Sequence, residues 1–328
     1  MRLGALLASL VVNPGRAAET PLRLGIIGLD TSHATTLLRI YNDSHAPDHV
    51  PGAKIVAAFK GGSPDVEASR TRIDDFTKTA VEKYGVRIYD EIESLTHEVD
   101  AVLLLSVDGR THLAQFQRAL AARKPVFIDK PLGGTLGEAI AILRLTRESE
   151  AKVFHASLLR YTTPEWPSAA IAKVGEVRSV FAFGPAEIEP HVPDLFWYGV
   201  HTVEALYNIM GRGCERVVRT HTKNTDVVTG IWSDGRVGTM QGNRAGHLGY
   251  GVTIVGTKGA VTGGEKRSYQ LFAEKVLAFF RTGNAPVALE ESVEECAFME
   301  AADESKRRGG APVTIAEVMQ LARAPAAP

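Results

Sequence analysis

The segment Gly25-Ile26-Ile27-Gly28-Leu29-Asp30-Thr31-Ser32-His33 constrains this chain most, because it keeps the frame of a nucleotide-binding strand, turn and helix while replacing two of its three glycines. In a G-x-G-x-x-G turn the first glycine makes the bend, the second lets backbone approach a pyrophosphate, and the third packs helix on strand. Gly28 holds the first place; Asp30 and His33 hold the others. A carboxylate aimed at a pyrophosphate repels it, and any side chain at the close-approach position takes up its space. The frame therefore predicts a dinucleotide-type fold, and the replacements predict a dinucleotide bound differently or not at all. Thr31 and Ser32 bring hydroxyls to a helix N-terminus, where free N–H groups favour anions, so a phosphate can be held without the second glycine. Asp30 as a plain helix cap is the competing reading.

Periodicity extends the frame. Residues 23–28, 54–59, 101–106 and 126–128 read as strands, and 33–42, 65–84 and 111–122 as helices between them. The unbroken apolar run Ala101-Val102-Leu103-Leu104-Leu105 suits a strand buried on both faces of a parallel sheet. Residues 22–150 thus read as an α/β, doubly wound, Rossmann-like nucleotide-binding domain closed by a helix over 136–150. From Val153 onward, strands alternate in character, as in residues 177–183 and 226–232 with the turn Ser233-Asp234-Gly235-Arg236. Residues 151–315 therefore read as a C-terminal α+β domain on a mostly antiparallel sheet, served by helices over 199–210 and 269–281, with residues 316–328 as a frayed tail.

Composition sets the outer limits. The chain has 328 residues, 45% hydrophobic content and a formal charge of −1, which suits two ordinary globular domains and gives no basic surplus for nucleic acid. Met1-Arg2 followed by the apolar run Leu3 to Val12 and by Ala17-Ala18 reads as a signal peptide over 1–18, too short to span a bilayer. The expectation is export to the periplasm with no membrane contact in the mature form; a misassigned start would leave the chain cytoplasmic. Residues 1–18 carry no twin arginine, so the exported chain is expected to travel unfolded and without a cofactor. Cys214 and Cys296 permit one disulfide and read more simply as buried thiols.

At Lys124-Pro125-Val126-Phe127-Ile128-Asp129-Lys130-Pro131 the chain resembles the Gfo/Idh/MocA family (glucose-fructose oxidoreductase, inositol dehydrogenase, rhizopine catabolism), in which Glu-Lys-Pro ends a Rossmann strand. Here the acid is Asp129. Further motifs follow in order: Asp100-Ala101-Val102 leading to His112, Leu159-Arg160-Tyr161, Gly199-Val200-His201, Val255-Gly256-Thr257-Lys258-Gly259 and residues 301–306. The resemblance implies that Lys130 sits beside nicotinamide and substrate hydroxyl, and that His201 is acid or base on that hydroxyl. Histidine titrates near working pH and a lysine stabilises a developing alkoxide. Candidate cofactor contacts are Gly28, Asp30, Thr31, Ser32, His33, Lys60, Asp108, His112 and Asp129, and candidate substrate contacts are Arg160, Trp197, Tyr198 and Glu204; the resemblance also implies a dimer or tetramer through the open face of the second sheet.

Several positions depart from the family's usual pattern. Trp197 replaces the first acid of Asp-x-Gly-x-His-x-x-Asp, and Val107-Asp108 replaces Pro-Asn. Strand two ends in Phe59-Lys60-Gly61-Gly62-Ser63, without the acid that holds the adenosine ribose; Lys60 and Ser63 suit a 2′-phosphate instead, so NAD, NADP and no cofactor all stay open. Glu187, Glu189, His191, Asp194, His201 and Glu204 form a polar cluster read as a sugar-binding rim, with no metal assigned. Trp197, Tyr198 and Trp232 either stack on a pyranose or fill core. The function read from these residues is an NAD(P)-dependent oxidoreductase on a sugar, glycoside or cyclitol hydroxyl. Alternatives are a non-redox glycoside lyase or hydrolase on the same scaffold, or a catalytically degenerate sugar-binding protein.

Overall fold

A computed structural model describes residues 20–323; the export segment expected over 1–18 and residues 324–328 of the expected tail lie outside the described residues. The first layer alternates β1 (Leu22–Ile27), α1 (Ser32–Asn42), β2 (Ala53–Phe59), α2 (Glu67–Arg70), α3 (Ile73–Tyr84), β3 (Arg87–Tyr89), α4 (Ile92–His97), β4 (Ala101–Leu104), α5 (His112–Leu120), β5 (Val126–Ile128), α6 (Leu136–Glu148) and β6 (Val153–His155). Its six strands pair in parallel in the order β3-β2-β1-β4-β5-β6. Every residue of β4, β5 and β6 is buried, which explains why β4 and β5 read as unbroken apolar runs.

The second layer comprises α7 (Ser168–Val174), β7 (Val177–Pro185), α8 (Asp194–Trp197), α9 (Gly199–Met210), β8 (Cys214–His221), β9 (Thr225–Trp232), β10 (Val237–Asn243), β11 (Gly251–Gly256), β12 (Gly259–Gly263), α10 (Tyr269–Thr282), α11 (Leu289–Arg307), β13 (Val313–Thr314) and α12 (Ile315–Arg323). Its seven-stranded sheet runs β12-β11-β7-β10-β9-β8-β13 and is antiparallel except for the β7–β10 pair. The fold class is the expected one: α/β with a parallel nucleotide-binding sheet, then α+β. Among the described residues no helix is long and apolar enough to cross a membrane.

Four boundaries differ from the sequence reading, each for a packing reason. The helix expected over 65–84 is broken into α2 and α3, because Ser69 is bonded to both Asp30 and the Ser63 amide and holds α2 against the strand ends. The parallel sheet extends past residue 150, since β6 pairs in register with β5. The α10 helix serves the first domain rather than the second. Its Phe272, Ala273, Val276 and Phe279 share one buried cluster with Leu24, Ile26, Tyr41, Phe127 and Phe154, and Tyr41 Oη donates to the Ala273 carbonyl at 2.8 Å. The tail expected from residue 316 is the helix α12 to Arg323, with Val318 buried against the α6 and β8 side. Cys214 and Cys296 are buried free thiols.

Phe272 anchors α10 in the first domain. Phe272→Ala should cost about 3–5 kcal/mol in urea unfolding, as truncation of a fully buried phenylalanine does. A loss below 1 kcal/mol would mean that α10 does not hold the first domain together.

Candidate functional site

The cleft is built where β1, β4 and β5 end, the edge at which open α/β sheets receive ligands. Gly28 turns the chain out of β1 with φ +96°, and a Cβ there would lie 2.4 Å from the Ser106 amide nitrogen, so only glycine fits. Asp30 does not face the cleft. It is fully buried, accepting from the Val107 amide at 3.0 Å and from Ser69 Oγ at 2.7 Å. Burial raises its pKa while those two donors pull the other way. The repulsion expected between Asp30 and a pyrophosphate is therefore corrected: the carboxylate is spent bracing the loops after β2 and β4. The helix cap is Thr31, whose Oγ1 accepts from the His33 amide at 3.3 Å, not Asp30.

His33, at the third glycine position, bridges instead of packing helix on strand. Its Nδ1 lies 2.6 Å from Asp129 Oδ2, both side chains are buried, and the ring meets Tyr269 edge-on at 5.6 Å. Burial disfavours the Asp129 carboxylate, but the charge and hydrogen bond of His33 and the neighbouring Lys130 outweigh it and hold its pKa at about 2. Lys130 follows directly and is buried, its ammonium 5.8 Å from the Trp197 ring centre and 5.7 Å from that of Tyr198. Burial lowers the Lys130 pKa against the pull of Asp129 and Asp30.

The facing wall is α9. His201 Nδ1 lies 2.8 Å from Ser157 Oγ, and the ring meets Tyr198 and Tyr250 edge-on. Burial, then the Lys130 and His33 charges, push His201 well below the ordinary histidine range. A cleft of about 360 Å³ is lined by Thr31, Ser32, His33, Val107, Lys130, Trp197, Tyr198 and His201, with Glu187, Ala68 and Arg72 around it. A larger groove, about 890 Å³, runs from Gln117 to Lys152 past the amino ends of β5 and β6, away from these groups.

Other expected site residues are engaged elsewhere. Lys60 pairs on the surface with Asp74 at 2.7 Å, and Ser63 is buried donating to Asp108 at 2.6 Å, so neither is positioned for a 2′-phosphate. Asp108 also pairs with Arg110 at 2.8 Å, and Arg110 with Asp65, which fastens the β2 loop to the turn before α5. His112 is buried with its ring nitrogens 2.8 Å from the Ser106 and Pro131 carbonyls, bracing the cleft floor without reaching it. Arg160 and Glu204, expected at substrate, are a buried ion pair extended by Glu291 and Glu295. Long charged side chains can be buried only when paired, and here the pairing takes them out of the cleft. Trp232 is core, donating Nε1–H to the Gly211 carbonyl at 2.8 Å against Tyr207 and Phe298. The acidic rim disperses as well: His191 pairs with Glu189, and Asp194 with Arg219 and Lys306. Ser157 and Arg72 carried no signal in the sequence, since a lone serine after a strand and an arginine between helices belong to no motif.

Comparison with known proteins agrees with this fold. Residues 22–157 match the Gfo/Idh/MocA family model, an oxidoreductase family with an NAD-binding Rossmann fold. An inositol 2-dehydrogenase of Acidothermus cellulolyticus is 28% identical over 156 residues, covering 46% of this chain and 40% of that protein. One from Mycolicibacterium smegmatis is 31% identical over 120 residues, covering 32% and 34%. The matched stretch thus spans less than half the length of these curated relatives. The structure of myo-inositol dehydrogenase from Lactobacillus casei in complex with NAD(H) and myo-inositol superimposes with a TM-score of 0.69 at 16% identity, covering 90% of this chain and 97% of that one. At that identity the likeness establishes the fold.

The His201 environment is directly measurable. In spectra of the ¹⁵N-histidine-labelled protein the His201 ring should remain neutral at pH 6; titration at the ordinary value near 6.5 would contradict the buried, cation-flanked setting.

Proposed function

From the match of residues 22–157 to the Gfo/Idh/MocA oxidoreductase family model, we propose that the chain is a member of that family and oxidises a secondary hydroxyl of a cyclitol or sugar with NAD(P). The observation that carries the reading is the meeting of Lys130 and His201, from opposite domains, in one cleft with Thr31 and Ser32. With the Asp30 carboxylate turned inward, the residues left at the cleft fit the nicotinamide and phosphate end of the cofactor. Thr31, Ser32 and the start of α1 offer hydroxyls and N–H groups to phosphate, and Arg72 adds a guanidinium. When bound, the nicotinamide accepts the hydride that leaves the carbinol carbon.

Oxidation of a hydroxyl also releases a proton. Neutral His201 takes it at Nε2 in the tautomer whose Nδ1–H donates to Ser157 Oγ, one of the two that the 2.8 Å contact accommodates. The Lys130 ammonium stabilises the oxygen as charge develops, and the rings of Trp197 and Tyr198 shield that charge from water. Glu187 lines the same cleft and is suited to accept hydrogen bonds from the substrate's other hydroxyls.

One observation favours a second reading, a lyase or hydrolase without net redox. The β2 loop is fastened across the strand ends by the Asp30–Ser69, Ser63–Asp108 and Asp65–Arg110 bonds and offers no carboxylate to an adenosine ribose, while the cleft volume suits a sugar by itself. The apolar run Leu3 to Val12 behind Arg2 supports export, and exposed Phe181, Val237 and Val255 on the second sheet support a homo-oligomer.

With myo-inositol and related polyols as trial substrates, Lys130→Met and His201→Ala should each lower kcat/KM by roughly 10²–10⁴-fold, the usual loss for a proton-transfer or charge-stabilising group. Thermal midpoints should stay close to wild type. Turnover surviving both substitutions would reject these roles, and turnover of a glycoside without nicotinamide reduction would favour the second reading.

A further inference from the structure

Behind the cleft, three elements turn buried polar atoms toward one point. His155 ends β6, Glu204 lies in α9 and Glu295 in α11, and their candidate ligand atoms all lie within 4.8 Å of one another. His155 Nε2, Glu204 Oε2 and Glu295 Oε2 are buried without a hydrogen-bond partner. The three residues are 2%, 0% and 2% exposed. Buried polar atoms are ordinarily satisfied; a proton shared by Glu204 and Glu295 serves two of these atoms but leaves His155 Nε2 bare, whereas a cation serves all three.

The remaining atoms of these side chains are held in place. His155 Nδ1 lies 2.9 Å from Ser292 Oγ, the Ser157 amide donates to Glu204 Oε1 at 3.0 Å, and Arg160 donates to Glu204, Glu291 and Glu295. With every carboxyl ionised, Glu204, Glu291 and Glu295 against one guanidinium and a neutral imidazole carry a formal charge of −2; burial and the Glu204 charge push Glu295 well above the usual carboxylate range, so an entering cation displaces the proton that this pair holds. A divalent cation cancels that charge. One imidazole and two carboxylates form a donor set for a first-row divalent ion, and the Ser292 contact is the outer hydrogen bond that orients a ligating histidine.

We propose that His155, Glu204 and Glu295 bind one divalent first-row cation that clamps β6, α9 and α11 at the domain junction. The site is separate from the cleft yet linked to it, because Ser157 bonds both Glu204 and His201. The cation thereby sets the position of α9 and of the His201 ring it carries.

The test uses the full chain stripped with a chelator and dialysed against Zn²⁺, Mn²⁺ or Co²⁺, with bound metal read by elemental analysis, Co²⁺ ligation by its visible spectrum, and thermal midpoint by calorimetry. One equivalent should bind and raise the midpoint by several degrees. His155→Gln and Glu295→Gln should each abolish uptake and the rise while keeping wild-type circular dichroism. If one variant fails to fold, the other carries the comparison. A folded wild type that takes up no cation at millimolar concentration, or uptake that neither variant alters, would overturn the proposal; the first result would mean that Glu204 and Glu295 share a proton instead.

Discussion

His33 Nδ1 and Asp129 Oδ2, 2.6 Å apart and both buried, join the first turn of α1 to the residue that leaves β5. An unpaired Asp129 carboxylate at that depth would be costly, so the bond fixes both ends: the start of α1 cannot drift from β5, and Lys130 must emerge beside Thr31 and Ser32. Asp30 does the same one turn earlier, tying β1 to the loops after β2 and β4. The two residues that displace glycines from the nucleotide-binding turn thus serve as internal braces. What remains facing the cleft is a short hydroxyl-bearing helix start, a buried lysine and a histidine.

The second domain meets this edge through α9. Ser157, just past β6, bonds His201 through its hydroxyl and Glu204 through its amide, so the last parallel strand sets the height of the helix that faces Lys130. The Arg160 ion cluster lies behind it, drawing α9 and α11 together. A buried cluster of this kind contributes little net stability compared with an apolar isostere, but removing one partner strands a charge, so it fixes the relative placement of the elements.

The sheet architecture was legible because β4, β5 and the flanking runs are apolar without interruption, and because motif order distinguishes a long two-domain chain from a lone glycine turn. The Lys130–His201 pair was legible for the same reason: each occupies a motif position whose context places it at a strand end or on the helix across from it. The direction of side chains was not legible. Asp30 reads as a charge aimed at phosphate until Ser69 and the Val107 amide, 39 and 77 residues away, turn it inward. Arg160 and Glu204 read as polar residues near a substrate until Glu291 and Glu295 arrive from α11, whose helix was not foreseen. In each case the deciding partner is remote in sequence and belongs to no motif. The break between α2 and α3 has the same origin, a tertiary bond that overrides a continuous helical pattern.

The proposed oxidation requires that this rebuilt turn still present a seat for nicotinamide beside Lys130 and His201. Saturation-transfer NMR of the full chain with NAD⁺ and with NADP⁺ tests it most directly, because it reports which end of the ligand touches protein. Saturation should be strongest at the nicotinamide protons and weaker at the adenine protons, since the β2 loop is bonded across the strand ends. Saturation confined to adenine, or none at either end with both ligands, would rule out a nicotinamide seat in this cleft.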